Sequence, residues 1–138
     1  MVEESSLQKV IVRTRDGKVI PGFANEDRIK KRLKIINQQG KEETYSIDKL
    51  KAIFFVKDFQ GNPEYDEIKF LNKQSVSSMI WVRVEFFDGE VLEGKILNNM
   101  ELISSPGFYL SPSDQDTNNK RVYVVKSSLE NFTVLCPV

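Results

Sequence analysis

The segment Val12-Arg13-Thr14-Arg15-Asp16-Gly17-Lys18-Val19-Ile20-Pro21-Gly22 returns as Val84-Glu85-Phe86-Phe87-Asp88-Gly89-Glu90-Val91-Leu92-Glu93-Gly94, displaced by 72 residues (88 minus 16). Each version runs apolar residues up to an Asp-Gly pair and resumes with apolar residues after it, which is the pattern of an antiparallel hairpin. In such a turn glycine accepts positive φ without strain and aspartate bonds the local backbone. Asp16, Gly17, Asp88 and Gly89 are therefore read as structural. The later glycines, Gly22 and Gly94, follow Pro21 and Glu93 respectively, so glycine is the shared requirement. It predicts a bend in the return strand of the kind that lets a short sheet curl.

A second correspondence extends the first. Tyr45, Leu50 and Ile53 match Val124, Leu129 and Phe132 at a displacement of 79 (129 minus 50), as expected if the second version carries a longer internal loop. Working outward, strands are expected at 9–14, 18–24, 33–37, 42–47 and 52–56, then at 80–86, 90–97, 108–110, 121–125 and 132–135. Ile47-Asp48-Lys49-Leu50 and Lys126-Ser127-Ser128-Leu129 each suit one turn of 3₁₀ helix. The continuous apolar run Ala52-Ile53-Phe54-Phe55-Val56 predicts a strand buried on both faces. The organisation is thus a first β unit over 1–60, a connector over 61–78 and a second β unit over 79–138. Phe59, Tyr65, Phe70 and Leu71 would hold the connecting stretch against the rest. Units of this size bury little core alone, so the two are expected to pack as one body.

Composition narrows the chemistry. The 138 residues carry 20 Lys plus Arg against 20 Asp plus Glu, with no histidine and one cysteine, Cys136. A balanced charge gives no field to attract a polyanion. Without histidine, and with a lone cysteine, disulfide frameworks, Cys/His zinc sites and histidine-based catalysis are excluded within one chain. Asp114-Gln115-Asp116-Thr117-Asn118-Asn119 resembles the start of a calcium loop but lacks the glycine at its sixth position and has Val125 at the twelfth. No convergent acid pair suits glycoside or phosphoryl chemistry. The expectation is a non-enzyme with no catalytic residue, no metal and no cofactor. No apolar run reaches the roughly 18 residues of a membrane span, and Met1 to Ser6 is acidic and polar. A cytoplasmic protein with no membrane partner is expected.

Arg28, Lys30, Lys31 and Arg32, with Lys34, form the one dense basic cluster, which could contact a phosphate or nucleotide. The favoured reading is a solvated loop partly balanced by Glu26 and Asp27. In Phe54-Phe55 and Phe86-Phe87, adjacent residues of a strand face opposite ways, so one member of each pair needs a second cover, from the other unit, the connector or another chain. Trp81 is read as a packing anchor.

The order of strand, Asp-Gly turn, bent strand, third strand, fourth strand, one-turn helix and fifth strand resembles small SH3-like and Sm-like barrels. Val82 to Ile96 is similar to the first Sm motif, whereas neither Tyr123-Val124-Val125-Lys126-Ser127 nor Thr44-Tyr45-Ser46-Ile47-Asp48 supplies the glycine of the second, RNA-contacting motif. The resemblance implies an all-β fold of two tandem small SH3/Sm-like β-barrel units packed as one body. A closer likeness, over nearly the whole chain and marked by Leu50 to Phe59 with Gly61, is to a family of bacterial domains without assigned function. Relatives of that kind can accompany signalling domains, which implies an interaction or regulatory module; a protein partner is expected, and a homo-oligomer is open beside it. PilZ receptors of cyclic-di-GMP share the Arg-x-x-x-Arg of Arg28 to Arg32, but their second motif is met at Leu102 to Gly107 only in its serine and glycine. Cyclic dinucleotide or RNA binding through the Arg28 to Lys34 loop is the alternative to the protein-binding reading.

Overall fold

A computed structural model of the chain describes residues 7–25, 29, 31–59, 79–112 and 119–137. Ten strands account for most of them. The first five are β1 (Gln8–Thr14), β2 (Val19–Ala24), β3 (Arg32–Asn37), β4 (Glu42–Ser46) and β5 (Leu50–Val56). The second five are β6 (Met79–Phe86), β7 (Val91–Leu97), β8 (Gly107–Pro112), β9 (Asn119–Val125) and β10 (Leu129–Pro137). Single 3₁₀ turns, Ile47–Lys49 and Lys126–Ser128, lead into β5 and β10. A one-turn helix that sequence reading missed, α1 (Glu101–Ser104), lies between β7 and β8. Both Asp-Gly turns form as expected: Gly17 and Gly89 have φ of 94° and 92°. The connector over 61–78 and the polar loop over 114–118 lie outside the described residues.

All ten strands join one antiparallel sheet in the order β10-β6-β7-β8-β9-β5-β1-β2-β3-β4. Each half of the chain contributes the same sequence of neighbours: fifth, first, second, third, fourth. The registers agree as well. Thr14, Val12 and Val10 face Leu50, Ile53 and Phe55, while Phe86, Val84 and Val82 face Leu129, Phe132 and Val134. The sheet is not closed on itself. β9 pairs with β5 of the other half, leaving β4 and β10 as the ends among the described residues.

This exchange builds the core. Successive strand residues point to opposite faces, and all of β5 is buried. Ile53 and Phe55 enter one cluster with Val10, Val12, Leu33 and Ile35, whereas Ala52, Phe54 and Val56 enter the other with Val82, Val84, Phe86 and Ile96. β9 reciprocates, sending Tyr123 and Val125 to the first and Val122 and Val124 to the second. The outside cover expected for the Phe54-Phe55 pair is thus the other half of the chain. Phe87 differs: it is 64% exposed, because it sits in the turn after β6, where strand alternation no longer applies. Trp81 is buried, as expected of an anchor. Phe59 packs edge-on against Phe23 at 5.4 Å, while Tyr65, Phe70 and Leu71 lie outside the described residues.

The bend glycines answer to a steric need. Neither Gly22 nor Gly94 has positive φ. A Cβ on Gly22 would lie 2.8 Å from the carbonyl oxygen of Ile36, and one on Gly94 would collide with the Ser111 carbonyl. At these two points β2 turns onto β3 and β7 onto β8, each over only two residue pairs. Only a residue without a side chain allows the neighbouring backbone so close.

Candidate functional site at the β10 edge

β10 lies antiparallel to β6 and has no second neighbour among the described residues. Its free side offers a row of backbone N–H and C=O groups, the feature by which a sheet edge recruits another strand. The side chains sharpen the contrast with β5. Ile53 and Phe55 are fully buried, whereas Phe132 and Val134, which occupy the same register against β6, are 39% and 53% exposed. What buries β5 is β9, and nothing equivalent covers β10 among the described residues.

Beside this edge is an open groove of about 330 Å³ between α1, β8 and β10. Leu102, Phe108, Leu129 and Phe132 give it an apolar floor, with Lys126, Glu130 and Asn131 as polar neighbours. Phe132 stands edge-on to Phe108 at 5.7 Å. Met100 and Ile103 extend the apolar surface around α1, both more than half exposed. Contiguous apolar surface rimmed by polar groups is the usual signature of a docking site.

The seam between β5 and β9 shows how this fold fills such an edge. Ala52 faces Val124, Ile53 faces Tyr123 and Phe54 faces Val122. At its mouth Lys51, whose side chain is 7% exposed, places Nζ 2.6 Å from Asp88 and in contact with Glu90, and packs over the Phe86 ring. Ser128 Oγ donates to the Lys51 carbonyl at 2.8 Å. The hydrogen bond from Lys51 is the main cause that holds the Asp88 carboxyl below its ordinary value, helped by the Glu90 backbone N–H.

The profile of DUF6982, a family of unknown function, matches residues 6–136. The chain belongs to that family. Neither the curated proteins nor the solved structures hold a match to it.

The residues singled out from the sequence of this DUF6982 member fall into three groups. Asp16, Gly17, Asp88 and Gly89 form the two hairpin turns, with Asp16 accepting a hydrogen bond from Thr14 Oγ1 and Asp88 from the backbone of Glu90. Of the basic cluster, Lys31, Arg32 and Lys34 fall within the described residues. Lys31 and Arg32 are exposed at the start of β3, Lys34 pairs with Glu42 at 3.7 Å, and Arg28 and Lys30 lie outside the described residues. Leu102 and Gly107 are spent on packing: Leu102 lines the groove, and a Cβ on Gly107 would strike the Val124 carbonyl. Among the described residues no group of three or more Asp, Glu or Cys side chains is placed to hold a metal, and no helix is long and apolar enough to cross a membrane. The β10 edge was missed as a site. The signal available was the match of Phe132 to Ile53, an aromatic in a strand equivalent to one buried on both faces.

Proposed function

We propose that the chain is a non-enzymatic protein-interaction module of the bacterial cytoplasm, made of two related five-stranded units of SH3/Sm-like strand order, and that β10 is its working edge. The occupant is an extended segment of protein that adds a strand beside β10 and lays apolar side chains into the groove at Leu102, Phe108 and Phe132. One observation carries this reading: β5 is wholly buried, while Glu130 to Val134 on the matching strand are all exposed. Burying a side chain the size of Phe132 contributes about 2 kcal/mol, and main-chain pairing supplies direction. The absence of histidine and of any convergent carboxylate pair in the sequence supports a binding role over catalysis.

Affinity capture from native lysate tests it, using the intact chain, the Phe132→Glu variant and, as a control on a distant exposed apolar position, Val19→Glu. A discrete protein retained by the first and third but released by Phe132→Glu is the expected outcome. Capture indifferent to Phe132, together with turnover in a broad substrate screen, would replace the reading with an enzymatic one.

A further inference from the structure

The two edges of the sheet left unpaired among the described residues, β4 and β10, hold the same places in their halves as β9 and β5, the strands that join at the internal seam. We infer that copies of this chain associate head to tail, β10 of one copy pairing antiparallel with β4 of the next in the register of the β5–β9 seam. The inference rests on the reading of β10 as an interaction edge and names its occupant as a second copy of the chain. Shifting the seam register by 79 residues places Asn131 opposite Tyr45, Phe132 opposite Thr44, Thr133 opposite Glu43 and Val134 opposite Glu42.

Charge complementarity survives the transposition with its signs exchanged. Lys51 corresponds to Glu130 at displacement 79, and Glu90 corresponds to Lys18 at displacement 72. Where Lys51 meets Glu90 within the chain, Glu130 of one copy would meet Lys18 of the next. Ser128 and Phe87, beside Lys51 in the seam, correspond to Lys49 and Arg15, which add two more cations around Glu130. Asp16, the counterpart of Asp88, is already engaged by Thr14.

There is also room. Arg15, Lys18, Tyr45 and Lys49 line an open groove of about 690 Å³ along β4, at the position that the start of β5 fills in the other half. Glu130 and Phe132 line the groove on β10. The glutamates of β4 do not bar approach, since Glu42 is paired with Lys34, and Glu43 accepts hydrogen bonds from Asn37 and Tyr45. A head-to-tail contact uses two different surfaces, so it repeats and yields rings or filaments rather than a closed two-fold dimer.

Light scattering on the purified full chain across a concentration series should give masses that are multiples of the monomer. Lys18→Glu or Glu130→Lys alone should weaken association by about tenfold, and the two combined should restore it. Both positions are exposed, so each variant keeps the fold. Register is read by disulfide formation in a Cys136→Ser background. A chain bearing Thr133→Cys and a chain bearing Glu43→Cys should link under mild oxidation when mixed, but not when each is alone. A monomer at every concentration with no linkage, or Thr133→Cys chains linking to one another, would overturn the inference. If the chain stays monomeric yet captures a different protein through Phe132, the β10 edge stands and only its occupant changes; loss of both removes the edge reading as well.

Discussion

The Nζ of Lys51 lies 2.6 Å from the carboxylate of Asp88, across the seam between strands that are far apart in sequence. The lysine side chain is nearly buried and the aspartate is more than half exposed, so the pair sits at the boundary between core and solvent. Such a pair costs less to desolvate than a fully buried one, and it is screened in proportion.

Lys51→Ala should therefore destabilise the fold by about 1–3 kcal/mol, and Lys51→Met by less, because methionine keeps most of the buried side-chain length and loses only the ammonium over Phe86. The pH dependence has a definite sign. The folded Asp88 carboxyl is held below its ordinary value, so its contribution is complete above the unfolded value near about 3.9 and fades as pH falls through the folded value. Urea denaturation of wild type and Lys51→Met should show the stability gap narrowing toward acid. A gap independent of pH would refute the electrostatic part of this account.

Gly94→Ala should be among the most damaging single-methyl additions, at about 2–4 kcal/mol, because the new Cβ would meet the Ser111 carbonyl and the Leu110 side chain. Gly17→Ala meets open space and bears only the strain of φ at 94°, about 1 kcal/mol. Thermal melts of the two variants should rank in that order.

Tyr45 is pushed up to about 12 by burial first and by its hydrogen bond to Glu43 second. The neutral phenol is favoured in the fold, so this stability is complete below the unfolded value near about 10 and is lost as pH rises toward about 12. In an ultraviolet titration of the four tyrosines, Tyr45→Phe should remove a late step. Loss of an early step instead would contradict the placement of the hydroxyl.

The two halves should unfold together, since β5 and β9 each supply both core clusters. Calorimetry of the whole chain should give one transition, and a fragment ending at residue 60 should be insoluble or unfolded. A well-dispersed spectrum from that fragment would show that the first half keeps its core without Tyr123 and Val125.

Local chemistry made much of this readable from sequence. Asp-Gly fixed the turns at residues 16–17 and 88–89, and the unbroken run at 52–56 announced a strand with apolar neighbours on both sides. The seam was not readable in the same way. No local preference dictates that β9 pairs with β5 rather than with β10, because that choice depends on which apolar faces meet once the chain has collapsed. The need for glycine at 94 was legible, but not its steric cause: the carbonyl neighbour, Ser111, lies on another strand that no pattern around residue 94 reveals. Phe87 misled because alternation holds only inside a strand, and its strand ends at Phe86. The β10 edge is a matter of topology, visible only once the last strand is seen to have one neighbour among the described residues.

Sharing strands also has a consequence for the order of synthesis. β5 leaves the ribosome complete, with Ala52, Phe54 and Val56 on one face, long before β9 and the rest of the second cluster have been translated. Until then that face has little beyond Ile11 and Phe59 to pack against, and an apolar strand in this state is prone to pair with another nascent chain. Faster translation of the stretch between β5 and β9 would shorten this exposure, so yield of soluble protein should depend on codon choice there even though the amino-acid sequence is unchanged.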